Sequence, residues 1–139
     1  MGLSLNYYLT LLLSVKTQII AGKKKVAKPI LILAILRAIS EHLLTKNEIK
    51  YTDELEDIYI DLFDKYGKVL SPMKYPFYHM QSDGFYHIKG NLPTKSPTPK
   101  QLKEKIEYAY LDEQLWNLLQ QEENRLVIQK RIEQFFNLI

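Results

Sequence analysis

The chain has no cysteine, and that absence removes a disulfide framework, a thiolate metal site and a cysteine nucleophile in one step. The same absence suits a reducing compartment, so a cytoplasmic location is expected. Long apolar runs are missing as well. The stretch 9–13 ends at Ser14, and the run from Ile30 to Leu36 stops at Arg37 after seven residues, where a membrane span needs roughly 20. No charged segment precedes the first stretch and no small-residue cleavage site follows it, so both are read as buried helices. Glycine is scarce, at five residues in 139, and no glycine-rich phosphate loop is present. There is no His-Asn-His cluster and no His-Glu-x-x-His. Glu48-Ile49-Lys50 matches the Glu-x-Lys half of a nuclease motif, but no aspartate precedes it. The chain is therefore expected to be neither an enzyme nor a holder of a metal or cofactor.

Acidic residues are absent from the first 40 positions. That segment carries six basic residues for a net +6, whereas 41–67 is −5, 68–105 is +5 and 106–139 is −3. Two basic blocks separated by an acidic one can fold into a single positive face, the footprint of a phosphate-binding surface; solvated lysines on unrelated faces are the alternative.

A length of 139 residues with 46% hydrophobic content supports one domain, 1–139, with one core. Apolar residues at Tyr8, Leu11, Leu12, Val15 and Ile19 predict a helix over 6–20, ended by Ala21-Gly22. Lys23-Lys24-Lys25 reads as a loop, and Pro29 opens a central helix to residue 43. A short strand over 48–51 precedes a helix capped by Thr52 or Asp53 and running to 66. The segment 75–88 reads as a β-hairpin, with aromatic runs flanking Ser82-Asp83-Gly84, because Asp-Gly supplies positive φ at a turn. Phe77, Phe85 and Ile88 are its packing positions. A proline-containing connector over 90–99, with Pro93, Pro97 and Pro99, leads to helices over 100–108, 112–120 and 122–138, with Trp116 in the core. The expected class is α+β, mainly helical: a winged-helix-like core with one β-hairpin wing and a helical C-terminal extension. Winged helices serve protein interaction as well as DNA binding, so a protein-interaction module stays open as an alternative.

The combination of Lys28-Pro29-Ile30-Leu31-Ile32-Leu33-Ala34 with Tyr75-Pro76-Phe77 and Met80-Gln81-Ser82-Asp83-Gly84-Phe85-Tyr86 resembles the sulfur-binding domain of McrA-type HNH restriction endonucleases. The segment 107–112, Leu118-Leu119 and Phe135-Phe136 extend the resemblance over nearly the whole chain. The resemblance implies a recognition domain for phosphorothioate-modified double-stranded DNA in a type IV restriction system, with the HNH nuclease fused or acting in trans. A reader of another DNA modification on the same scaffold is a further alternative.

Sulfur in place of a non-bridging phosphate oxygen keeps the negative charge but is larger, softer and less hydrated, so its reader needs an apolar notch beside cations. The resemblance puts that notch at Tyr75, Pro76 and Tyr78, with His79 and Lys74 donating to the remaining oxygens. Lys23, Lys24, Lys25, Lys28 and Lys100 are expected on phosphates, and Gln81 or Ser82 on a base edge. Two departures accompany the resemblance. Tyr78 and His79 are bulky where relatives favour a small residue, and arginine contacts are represented by lysines such as Lys95, Lys100 and Lys103.

Overall fold

The computed structural model describes residues 2–20, 22–92 and 94–139. Ala21 and Pro93, placed above at a helix end and in a connector, lie outside the described residues, as do the side chains of Lys23 and Lys24. The element order is α1 (Gly2–Leu13), β1 (Ile19–Ile20), β2 (Lys23–Lys24), α2 (Ala27–Ser40), α3 (Asp53–Lys65), α4 (Lys74–His79), a 3-10 turn (Met80–Asp83), β3 (Tyr86–Gly90), α5 (Pro99–Glu104), β4 (Ile106–Leu111), α6 (Glu113–Leu119) and α7 (Glu122–Phe135). No helix among the described residues is long and apolar enough to cross a membrane.

Helix α2 is the axis of the molecule. Pro29 through Leu36, Ala38 and Ile39 are all buried, so the helix has no solvent stripe until Arg37. Helices α3, α4 and α7 pack around it. In α3 the buried set Leu55, Ile58, Tyr59, Leu62 and Phe63 follows helical spacing, and Thr52 caps the N-terminus by accepting the Leu55 amide at 3.2 Å. Arg37 ties α2 to α3 through Asp61 at 2.6 Å, with Glu41 at 2.9 Å.

Helix α1 stops at Leu13, short of the expected residue 20. The following Val15, Thr17, Ile19 and Ile20 are β-branched and favour extended backbone, and Ile19–Ile20 pairs antiparallel with Lys23–Lys24. The expected lysine loop is therefore one strand of a small ribbon.

The segment 75–88 does not form a hairpin. Its first half is the short helix α4, which places Pro76 in the first turn, where a missing N–H costs nothing. Phe77 and Met80, three apart, both point into the core. Gly84, at φ +93°, does make the expected turn, but it joins the 3-10 turn to β3. The partner of β3 is β4, in register Tyr86↔Leu111, His87↔Tyr110 and Ile88↔Ala109. On the other edge of β4, Ile49 exchanges both backbone hydrogen bonds with Ala109, at 2.6 and 2.7 Å. The residues expected to close a helix over 100–108 thus split between α5, capped by the Thr98–Gln101 box, and a strand. Among the described residues the molecule is mainly helical with two antiparallel strand pairs, β1–β2 and β3–β4, and no hairpin wing forms within 75–88. Trp116 is half-buried at the edge of the core.

Two hydrogen bonds lock the aromatic layer. Tyr86 donates to the Phe77 carbonyl at 2.6 Å in full burial, and Tyr59 donates to the Ser71 carbonyl at 2.7 Å. Edge-on ring contacts join Tyr51 to Phe77 at 5.0 Å and Phe77 to Tyr86 at 6.2 Å.

Gly90 closes β3 at φ +136°, and a Cβ there would stand 2.7 Å from the Ile106 Cα. Gly90→Ala should therefore cost roughly 1–3 kcal/mol in a denaturant titration. Alkaline stability provides a second test. Burial and the Asp112 carboxylate push the Tyr8 phenol up from 10.0 to about 12, and burial raises Tyr51, Tyr59, Tyr66 and Tyr86 as well. The fold keeps these phenols neutral where an unfolded chain would ionise them. That contribution is complete below pH 10 and lost as pH rises towards about 12. Denaturation midpoints should fall across this window, and less steeply for Tyr8→Phe.

Candidate nucleic-acid interface

Between the segment 16–28 and the face of α4 runs an open groove of about 490 Å³. One wall comes from the ribbon and the start of α2, with Lys16, Thr17, Gln18, Lys25, Ala27 and Lys28. The other comes from Ser71, Tyr75, Pro76, His79 and Ser82. Tyr75 and His79 are four residues apart on α4 and share its outer face, while Phe77 turns inward. Tyr75 is 47% exposed and Pro76 is buried, so the tyrosine ring stands up from a floor that includes the edge of the proline.

Six residues expected at the site line this groove: Tyr75, Pro76, His79, Ser82, Lys25 and Lys28. Others stand apart. Tyr78 is half-buried against the core, its ring edge-on to His79 at 5.0 Å, and it is not part of the lining. Lys74 lies over the ring of Tyr75, Nζ 5.0 Å from the centroid, and is not part of the groove lining. Gln81 and Lys100 are exposed but lie outside the groove lining. Lys103 pairs with Asp53 at 3.2 Å. Lys23 and Lys24 are placed on β2 by their backbone alone.

Asp83 does more than make a turn. Its carboxylate, 2% exposed, accepts from the Lys28 ammonium at 2.6 Å through Oδ2 and from the Lys16 backbone N–H at 2.8 Å through Oδ1. Lys16 Nζ donates to the Ser82 carbonyl at 3.3 Å. These bonds fasten the ribbon wall to the end of the α4 wall. Lys28, 12% exposed, thus carries a charge already balanced inside the protein, whereas Lys25 is exposed and makes no ion pair among the described residues. Lys16, Thr17, Gln18 and Ser71 had no functional signal in the sequence. The first three were read as helix, and only the basic character of the first block pointed towards Lys16.

A second polar cluster lies at another surface. Asp112 accepts from Tyr8 at 2.8 Å and meets His87 Nε2 at 2.6 Å, joining α1, β3 and the start of α6. The His87 ring also packs on Tyr110 at 5.1 Å. The cleft in front is lined by Asn47, Tyr110, Glu113, Trp116 and Asn117 beside the His–Asp pair. Among the described residues no three His, Cys, Asp or Glu side chains group to hold a metal ion.

The groove therefore sets an aromatic and proline wall opposite lysine residues, a setting for an anion that has a poorly hydrated face. A search of curated protein sequences finds no match. Among solved structures, the fold is similar to the sulfur-binding domain of ScoMcrA complexed with phosphorothioated DNA, at a TM-score of 0.73 and 20% identity over 95% of this chain and 89% of that one. It is also similar to the type IV phosphorothioation-dependent restriction endonuclease ScoMcrA, at a TM-score of 0.69 and 18% identity, where 94% of this chain spans 29% of the endonuclease. The family model for the ScoMcrA-like DNA sulfur-binding domain matches residues 8–139, and the chain belongs to that family.

Proposed function

We propose that residues 1–139 act as one recognition domain that binds double-stranded DNA and reads a phosphorothioate linkage in its backbone, as the sensing part of a type IV restriction system. Cleavage falls to an HNH nuclease fused to this domain or supplied in trans, and the work is done in the cytoplasm. The observation that carries the reading is the pairing of Tyr75 and Pro76 with the lysine residues across the same groove. Sulfur seats against the tyrosine face and proline edge, where loss of hydration costs it less than it costs oxygen. His79 and Lys25 face the remaining oxygens, and Lys74 adds its field from over the Tyr75 ring. Lys23, Lys24 and Lys100 hold flanking phosphates, contacts that position the duplex without reading it. Ser82, at the groove, and Gln81, beside it, are the base-edge candidates.

A second reading has one observation in its favour. His79 stands in the groove wall where a small residue would leave room, which favours the alternative of a reader of another DNA modification on the same scaffold.

Matched duplexes with and without one phosphorothioate distinguish these readings. Binding should weaken steeply with salt, as phosphate contacts require, and a protein-interaction module would show no DNA affinity to lose. Tyr75→Ala should reduce the preference for sulfur by roughly 1–2 kcal/mol. Lys25→Ala should weaken both duplexes alike and flatten the log–log salt slope by about one unit. Equal affinity of the unaltered protein for the two duplexes would remove the sulfur reading.

A further inference from the structure

The least expected group beside an anion-binding groove is a carboxylate, and Asp83, next in sequence to the groove-lining Ser82, has both oxygens engaged by the lining residues Lys16 and Lys28. A latch between Ser82 and the ribbon needs only an acceptor for the Lys16 N–H, which an amide or a backbone carbonyl would supply. The negative charge has a more specific effect, because it pairs with the ammonium of Lys28, a residue that lines the groove. An ammonium is a compact, strongly hydrated, hard donor, and it forms shorter and stronger hydrogen bonds with oxygen than with sulfur. Left free beside Tyr75 and Pro76, it would reward the natural phosphate at the place where the apolar wall rewards sulfur. Specificity is a difference of two affinities, and lowering the wrong one raises it as surely as raising the right one.

We propose that Asp83 is a specificity-determining positioning residue, which sets the sulfur-over-oxygen preference of the groove by sequestering the Lys28 ammonium. The inference rests on the sulfur-reading function above. The Lys28 charge serves the protein interior and not a phosphate, and the ribbon wall presents Lys25 to the DNA instead.

The test measures affinity of the intact chain for the matched duplexes over a salt series, for the unaltered protein, Asp83→Asn, Asp83→Glu and Asp83→Asn/Lys28→Met. Asp83→Asn keeps an acceptor for Lys16 and frees Lys28. It should tighten the unmodified duplex several-fold, steepen its salt slope by about one unit and lower the sulfur preference. Asp83→Glu should restore the preference, and the double variant should return the salt slope to its starting value. A purely structural latch predicts instead that Asp83→Asn weakens both duplexes in the same ratio with an unchanged slope, and that result overturns the inference. If the unaltered protein does not distinguish the duplexes, the sulfur reading fails, and an unchanged slope on unmodified DNA still decides against sequestration. Should Asp83→Asn melt below the assay temperature, the ¹⁵N resonance of the Lys28 ammonium in the unaltered protein gives the answer. It should stay in place on saturation with unmodified duplex, and movement with the phosphate-bound lysines overturns the inference.

Discussion

Removing a carboxylate from water costs several kcal/mol, roughly, unless charge and hydrogen bonds replace the lost hydration. At Asp83 they do: one oxygen takes an ammonium and the other a backbone amide, and both donors come from a segment more than 50 residues away in the chain. The groove exists because of that closure. The Lys16–Ser82 hydrogen bond adds a further tie between this segment and the end of α4. The interaction thus joins the two sides of the groove and pairs one of its lysines inside the protein.

Segregation of charge along the chain takes on a spatial meaning in this arrangement. Cations of the first basic block, Lys16 and Lys25, face an apolar wall supplied by the second, at Tyr75 and Pro76. The acidic block is spent elsewhere: Glu41 and Asp61 meet Arg37, and Asp53 meets Lys103. Local balance away from the groove leaves the groove itself positive.

The resemblance marked Tyr75, Pro76 and His79 as a candidate site and residue chemistry marked the lysine runs, while much of the architecture was not legible. The central helix, the Thr52 cap and the inward Phe77 and Phe85 follow from burial, periodicity and capping, all local properties. The hairpin at 75–88 failed because a six-residue helix is too short to show a 3.6-residue period, while aromatic richness suits a strand as well as a buried helix. The partner of β3 lies some 20 residues on, past a proline-rich connector, and sequence spacing carries no trace of such a pairing. For the groove, Tyr75, Pro76 and His79 were visible as an unusual aromatic and proline cluster, and Lys25 and Lys28 as part of a basic run. Thr17, Gln18 and Ser71 are ordinary polar residues, and only the ribbon's fold-back makes neighbours of them. Asp83 was read as half of an Asp-Gly turn, since nothing local reveals an ion pair 55 residues away.

The Tyr86 phenol holding the Phe77 carbonyl gives the two sides of the groove unequal stiffness. Helix α4 is bolted from below to a fully buried ring in the sheet, so Tyr75 and Pro76 sit on a jaw that moves only with the core. The facing jaw is a short ribbon hinged near one ion pair, and two-stranded hairpins of that size have little rigidity of their own. The apolar side of the groove is therefore tied directly to the buried core, whereas the lysine side is joined to it through the two Asp83 bonds.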